Sequence, residues 1–330
     1  MNTKPRSRKG IPMLSRAIEE EYRGMVEAYG KAGGNKDSLT DAKTGKLVIH
    51  ENKVLNTGEV DGITIDTTQT ETGVRIVLTV AEGKKIEKPV HLCFGMLPKD
   101  GLQEIDFHVD ARKDSEVKVL AHCIFPNAVK IIHKMDADIV IGENASFDYR
   151  ETHYHGEEGG VELLPKGKVT INKGGSFYST FAISDGRVGR MDYDFDIYCL
   201  EDSVAELVVK AYGRGDDDIK IAERIYLNGK GARGMAKSRI VLSDKAKAVV
   251  RGETYGNAAD SRGHIDCMEL VNGNEAVATA IPIVSVTNDK AKVTHEAAIG
   301  SVDRKQVETL MARGLDEDRA VDVIVKGILK

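Results

Sequence analysis

KDSEVKVL (residues 113–120) opens on a turn-forming pair, passes through a small residue and ends in an alternating apolar run. The same order returns in ENASFDYR (143–150), KGGSFYST (173–180), EDSVAELV (201–208) and KGARGMAK (230–237). The small residues Ser115, Ala145, Gly175, Ser203 and Ala232 are 30, 30, 28 and 29 residues apart. A second series, around Gly160, Asp218, Ala246 and Ala291, falls between these corners or continues them, so the underlying step is close to 14–15 residues. A turn and a short strand at a fixed step mark a solenoid, and strands as the repeating element predict a β-helix. The competing architecture is a β-sandwich, whose turn signals come every 8–12 residues or so. Hairpin dipeptides do occur, at Asp61-Gly62, Asp100-Gly101, Asp185-Gly186, Asn228-Gly229 and Asn272-Gly273. They are too sparse to make every turn.

Composition agrees. Among 330 residues there are 33 Gly, no Trp and only 5% aromatics, which suits a repetitive β architecture better than a doubly wound α/β one. Lys and Arg (47) nearly balance Asp and Glu (52), so no nucleic-acid partner is expected, and the basic KPRSRKG at residues 4–10 is a weak signal. No apolar run approaches the ~20 residues of a membrane span. Residues 1–20 also lack the apolar core of a signal peptide. These readings predict a soluble, cytoplasmic protein with no membrane partner.

The period changes at both ends. In LSRAIEEEYRGMVEAYG (14–30), Leu14, Ile18, Tyr22, Met25 and Tyr29 recur every three or four residues, predicting an amphipathic helix closed by Gly30. A Gly- and Asp-rich linker follows, and from Lys46 the period is two, as in GVRIVLTV (73–80). After about residue 300, Ser301 is a candidate cap for a helix running to about Ala312, and Gly314 its stop. Asp316 is a candidate cap for a second helix, with Val321, Ile324, Val325 and Ile328 on one face. The expected organisation is a helix and linker over 1–45, a β-helix core over 46–300 and a helical segment over 301–330. The apolar faces of the last segment need the end of the β-helix, a partner protein, or both.

Several motifs fail on context. GKGARG (229–234) matches G-x-G-x-x-G, but it precedes a strand rather than a helix, and no P-loop is present. In THYHGEE, His153 and His155 share one face of a strand and could converge on a metal ion, yet two ligands are not a site. Four cysteines, Cys93, Cys123, Cys199 and Cys267, lie far apart with no C-x-x-C. That argues against a zinc finger or a disulfide framework. All four read first as small buried hydrophobes in apolar strands. In HIDCMELV, alternation puts Ile265, Cys267 and Glu269 on one face and His264, Asp266, Met268 and Leu270 on the other. In KVTHEAAIG, His295 and Glu296 face opposite ways if the strand is regular. The repeat count puts the pair at the last corner, where alternation would end and both could serve one site.

The stretch from HIDCMELV through AIPIVSV and KVTHEA to LMARGLDEDRAVDVIVKGIL resembles the SufB/SufD family, scaffold proteins of the SUF iron–sulfur cluster assembly system. GVRIVLTVAEGKKIEKPVHLCFG is similar to the family's strand leading into the core. The resemblance implies a right-handed parallel β-helix flanked by helical segments. It also implies a SufC-like ABC ATPase docked on the C-terminal helices, through Leu310, Met311, Arg313, Gly314, Leu315, Val321 and Ile324, and a homodimer or a heterodimer with a relative. Two markers resemble the SufB branch: a cysteine 15 residues before a proline (Cys267 and Pro282) and a glutamate after the histidine (His295 and Glu296). The implied cargo is a transient iron–sulfur cluster, [4Fe-4S] favoured, held by Cys267, Glu296 and His295 and passed to apo iron–sulfur proteins. The chain itself is then a scaffold, not an enzyme, and the partner hydrolyses ATP. Two other readings are a SufD-like structural subunit without its own cluster and a carbohydrate-active β-helix enzyme, which the absence of Trp disfavours.

Overall fold

The computed structural model describes residues 16–329, so KPRSRKG and Leu14 lie outside the described residues. Strands alternate between two facing sheets. The front sheet takes Val90–Gly95, Glu116–Phe125, Ser146–His155, Ser176–Asp185, Val204–Gly213, Arg233–Ser243, Arg262–Asn272 and Lys292–Ser301. The back sheet takes Gly73–Val80, Asp100–Ala111, Lys130–Ile141, Val161–Ile171, Arg190–Cys199, Asp218–Leu227, Lys247–Gly256 and Val277–Val286. From Asp100–Ala111 onward each strand pairs in parallel with the strand two before it, giving a β-solenoid of about 8 turns. Two antiparallel pairs close the N-terminal end: Lys46–His50 with Lys53–Gly58, and Ile63–Gln69 with Gly73–Val80. The Asp-Gly and Asn-Gly pairs after residue 180 form coil corners rather than hairpins, which removes the sandwich.

The corners explain the repeat. At six successive back-to-front corners one residue adopts a left-handed backbone: Asp114, Asn144, Gly174, Asp202, Gly231 and Asp260 all have φ between 52° and 72°. Glycine, Asn and Asp tolerate that conformation better than other residues. The residue that follows turns into the interior, where Ser115, Ala145, Ser203, Ala232 and Ser261 are 0–1% exposed. Only a small side chain fits under a corner stacked on its neighbours.

Alternation then fills the space between the sheets. Inward positions such as Ile105, Phe107, Val109, Val117, Phe147, Phe177 and Leu207 form one continuous core from Leu47 to Cys267. The helix Arg16–Lys31 covers the outer face of the front sheet near its start. There Met25, Val26 and Tyr29 pack on Val48, Cys93 and Ile124, and the Tyr29 hydroxyl meets His91 Nδ1 at 2.8 Å.

The C-terminal helices Arg304–Met311 and Glu317–Ile328 lie on the same outer face at the other end. Val307, Val321 and Val325 pack there on Tyr212 and Val241. Their apolar faces are thus covered by the flank of the solenoid, not by its end. Asp316 caps the second helix as expected, accepting from the Arg319 N–H. The first is capped by Asp303 rather than Ser301, because Ser301 is still paired as the last residue of a strand. Gly314 has φ of 96° and its N–H bonds the Met311 carbonyl, which ends that helix.

Candidate functional site

Reactive side chains gather between the sheets in two places. The first is the final coil. In Arg262–Asn272 the inward residues are Gly263, Ile265, Cys267 and Glu269, as alternation predicts. The last strand, Lys292–Ser301, pairs with it in register: Ile265 with His295, Asp266 with Glu296, Cys267 with Ala297. His295 therefore shares the inward face with Cys267. Glu296 lies on the outward face beside Asp266, whose carboxylate Arg239 holds at 2.6 Å. The expectation that His295 and Glu296 sit at a corner is corrected. The corner comes earlier, over 287–291, and the strand pairs with the previous coil without a break to Ser301.

Cys267 is buried among acids. Ser238 Oγ lies 3.0 Å from Glu269 Oε1 and also hydrogen-bonds the thiol. Burial pushes the thiol up to about 11, with Ser238 pulling down and the Glu269 and Glu223 carboxyls adding to the rise. Burial likewise raises Glu223 to about 8. Glu223 Oε1 and Glu269 Oε2 have no hydrogen-bond partner among the described residues. An unpartnered buried carboxyl oxygen is costly, and a cationic group in this space would relieve it. As it stands Cys267 is a protonated thiol, and it becomes a ligand or nucleophile only when a positive charge stabilises the thiolate.

The second place is deeper. His153 and His155 both point inward and are 1% exposed, so the pair is interior rather than a polar surface. Glu151, two residues earlier, shares that face, and Cys123 on the preceding front strand is paired with His153. One ligand atom from each of Cys123, Glu151 and His153 falls within 4.8 Å of the others. Glu151 Oε1 accepts from the Cys123 thiol at 3.3 Å and lies 2.7 Å from His153 Nε2. His153 Nδ1 lies 3.2 Å from His155 Nε2, and His155 Nδ1 lies 3.0 Å from the Arg187 carbonyl.

Burial raises the Glu151 carboxyl, but the hydrogen bond and charge of His153, then the Cys123 hydrogen bond, outweigh it and leave its pKa below the ordinary value. Burial, then neighbouring His153, lower His155 to about 3. Cys93 and Cys199 are the buried hydrophobes expected of them, whereas Cys123 is a hydrogen-bonded partner of a buried acid. Sequence reasoning missed Cys123 and Glu151. The usable signal was the repeat itself, because 123 and 153 are one coil of 30 residues apart.

Of the residues expected to face an ATPase, Val321 is buried against the solenoid, and Leu310, Leu315 and Ile324 are half-buried in the same cluster. Met311, Arg313 and Gly314 are exposed, as is Val323 at 51%. Among the described residues no helix is long and apolar enough to cross a membrane.

Comparison with known proteins agrees with the architecture. Residues 98–328 match the family model described as SUF system FeS cluster assembly, SufBD core domain. An iron-sulfur cluster assembly SufBD family protein of Methanocaldococcus jannaschii is 38% identical over 313 residues, covering 95% of this chain and 99% of that one. One from Pyrococcus horikoshii is 35% identical over 310 residues, covering 94% of each chain. A longer protein of that name from Pyrococcus horikoshii is 29% identical over 259 residues, or 77% of this chain and 57% of its own. A parallel β-solenoid with these relatives and a match over most of its coils is a member of the SufBD family of iron–sulfur cluster assembly proteins.

Proposed function

We propose that this chain is a non-enzymatic scaffold on which iron–sulfur clusters are built, around Cys267, and from which they are passed to apo proteins. The observation that carries the reading is the placement of Cys267 on the inward face one strand from the open end, with His295 on the same face of the last strand. A thiolate and an imidazole on neighbouring strands supply a soft and a borderline ligand, and mixed ligation makes a cluster easier to release than four thiolates would.

One chain does not complete the set, because Glu296 faces outward. The last strands of both sheets, Val277–Val286 and Lys292–Ser301, are edges with unpaired backbone groups. They expose Val277, Ile281, Val284, Val286 and Ile299. Such edges are templates for pairing. A second copy, or a SufB/SufD relative, joined edge to edge would continue both sheets and bring a second Glu296 to the seam. The cargo favoured is [4Fe-4S]. The exposed Met311, Arg313 and Gly314, with Val323, form the surface on which a SufC-like ATPase would dock.

Anaerobic reconstitution tests the reading: Cys267→Ala should lose the visible absorption of the cluster, and an unchanged spectrum would sink it. The outward position of Glu296 favours, as a second reading, a SufD-like subunit that shapes the complex without holding a cluster. In that case the isolated wild-type chain takes up none and needs a SufB-like partner.

A further inference from the structure

We propose that Cys123, Glu151 and His153 bind one divalent transition-metal ion of the Fe2+ or Zn2+ class inside the solenoid, in a site separate from Cys267.

The hydrogen-bond chain points to this. A carbonyl only accepts, so at the Arg187 carbonyl His155 Nδ1 must carry a hydrogen. The Nε2 of His155 then faces His153 Nδ1 at 3.2 Å, and in the tautomer with that His155 nitrogen bare it accepts from His153 Nδ1–H. That order leaves the other nitrogen of His153, Nε2, facing Glu151 Oε1 at 2.7 Å, where a proton held between them makes the hydrogen bond. A divalent ion can take the place of that proton. A backbone carbonyl fixing a histidine tautomer through its far nitrogen is the usual support of a metal-binding imidazole. Here His155 relays it and acts as a positioning residue.

Charge and geometry agree. Displacing the shared proton and the Cys123 thiol proton releases two protons. A divalent ion then sits against one thiolate and one carboxylate with a neutral imidazole, so the buried centre stays neutral overall and avoids the cost of an unpaired interior charge. Tetrahedral bonds of about 2.0–2.3 Å give ligand–ligand edges of about 3.3–3.8 Å. The Cys123–Glu151 separation of 3.3 Å already fits, the 2.7 Å Glu151–His153 contact must open, and the Cys123 and His153 ligand atoms lie within 4.8 Å of each other. An internal cavity of about 10 Å3, room for about one water, borders Glu151 on the side of Tyr149, Ser179 and Tyr193, away from Cys123 and His153. The site's walls are also unusually rich in unspent polarity. Both nitrogens of buried His133 have no hydrogen-bond partner among the described residues, and its ring lies 6.2 Å from that of His153. A thiolate, an imidazole and a carboxylate together suit Fe2+ or Zn2+ rather than Ca2+ or Mg2+.

Cobalt(II) is the probe, supplied anaerobically both to folded Cys267→Ala protein and during its refolding. The Cys267→Ala background removes the thiol of the proposed cluster site, so failure here and failure of the scaffold reading are distinguishable. The expected result is one Co2+ per chain, a thiolate-to-cobalt charge-transfer band, a raised melting temperature and displacement by Zn2+. Adding Cys123→Ser should abolish the band, and Glu151→Gln, nearly isosteric and neutral, should weaken binding at least tenfold while the protein still melts cooperatively. His155→Phe should weaken binding about 10–100-fold, as removal of a supporting partner does. No bound cobalt under either loading condition, or a band that survives Cys123→Ser, would overturn the proposal.

Discussion

His295 pairs with Ile265, so its imidazole shares the inward face with Cys267, while Glu296 pairs with Asp266 and lies on the other side of the same strand. Adjacent residues on a strand are sent to opposite faces, and an edge strand leaves the outward one for a neighbouring molecule. If Glu296 reaches a cluster across a seam, its defect complements one in Cys267. Cys267→Ala and Glu296→Ala chains, each unable to hold a cluster, should regain about a quarter of the wild-type content when mixed and allowed to exchange, since half of the dimers are mixed and each has one intact site. If mixing restores nothing, thiol and carboxylate act from one chain.

Glu223 makes stability depend on pH. Its folded pKa of about 8 lies above the ordinary value of 4.5 because burial penalises the charged form. The stability its neutral form permits is complete below the unfolded pKa and falls as pH rises toward the folded one. Glu223→Gln removes that loss. Relative to wild type the variant should be more stable at pH 8 by roughly 2–5 kcal/mol, with the advantage shrinking toward pH 5. Urea titrations at the two pH values measure it, and an equal difference at both would contradict the assignment.

The tail helices give a stability contrast. Val325 is 1% exposed against Tyr212 and Val241, whereas Val323 is 51% exposed one turn face away. Val325→Ala should cost about 1–3 kcal/mol, and Val323→Ala should stay within about 0.5 kcal/mol. Thermal melting compares them. A pull-down with the ATPase should show the reverse order, Val323→Ala reducing capture more than its effect on stability would explain.

The stacked corners can be tested at Gly174. Its φ is 67°, and a Cβ built there would meet the Asn144 side chain in the coil below. Gly174→Ala should destabilise by about 1–2 kcal/mol, from left-handed strain plus the contact. Replacing Asn144 with Gly as well should recover the contact part of the loss, and a double variant no better than the single one would locate the whole cost in the backbone.

How much of this was legible depends on range. A strand's inward and outward faces follow from a period of two, so the strand of Cys267 could be read from HIDCMELV alone, and the 30-residue corner step announced the solenoid. The strand period also said that His295 and Glu296 diverge. The inference that a corner would reunite them failed because strand ends are set by pairing to the previous coil, and that pairing continues to Ser301. The tail was legible as two amphipathic helices but not as to what they cover. Hydrophobic spacing names a face, while its occupant, here Tyr212 and Val241, is chosen by where the chain returns.

By itself, then, the sequence determined the repeating unit, the face of each strand residue, the stop of the first tail helix and the cap of the second, because all of these are local consequences of backbone geometry. Only the tertiary structure decided that Cys123 sits beside His153 and Glu151, and that Glu223 from the back sheet lies close enough to raise the Cys267 thiol. Those encounters depend on the register between coils and on which inward side chains of two sheets face one another, and both arise from stacking the whole solenoid rather than from any stretch of it.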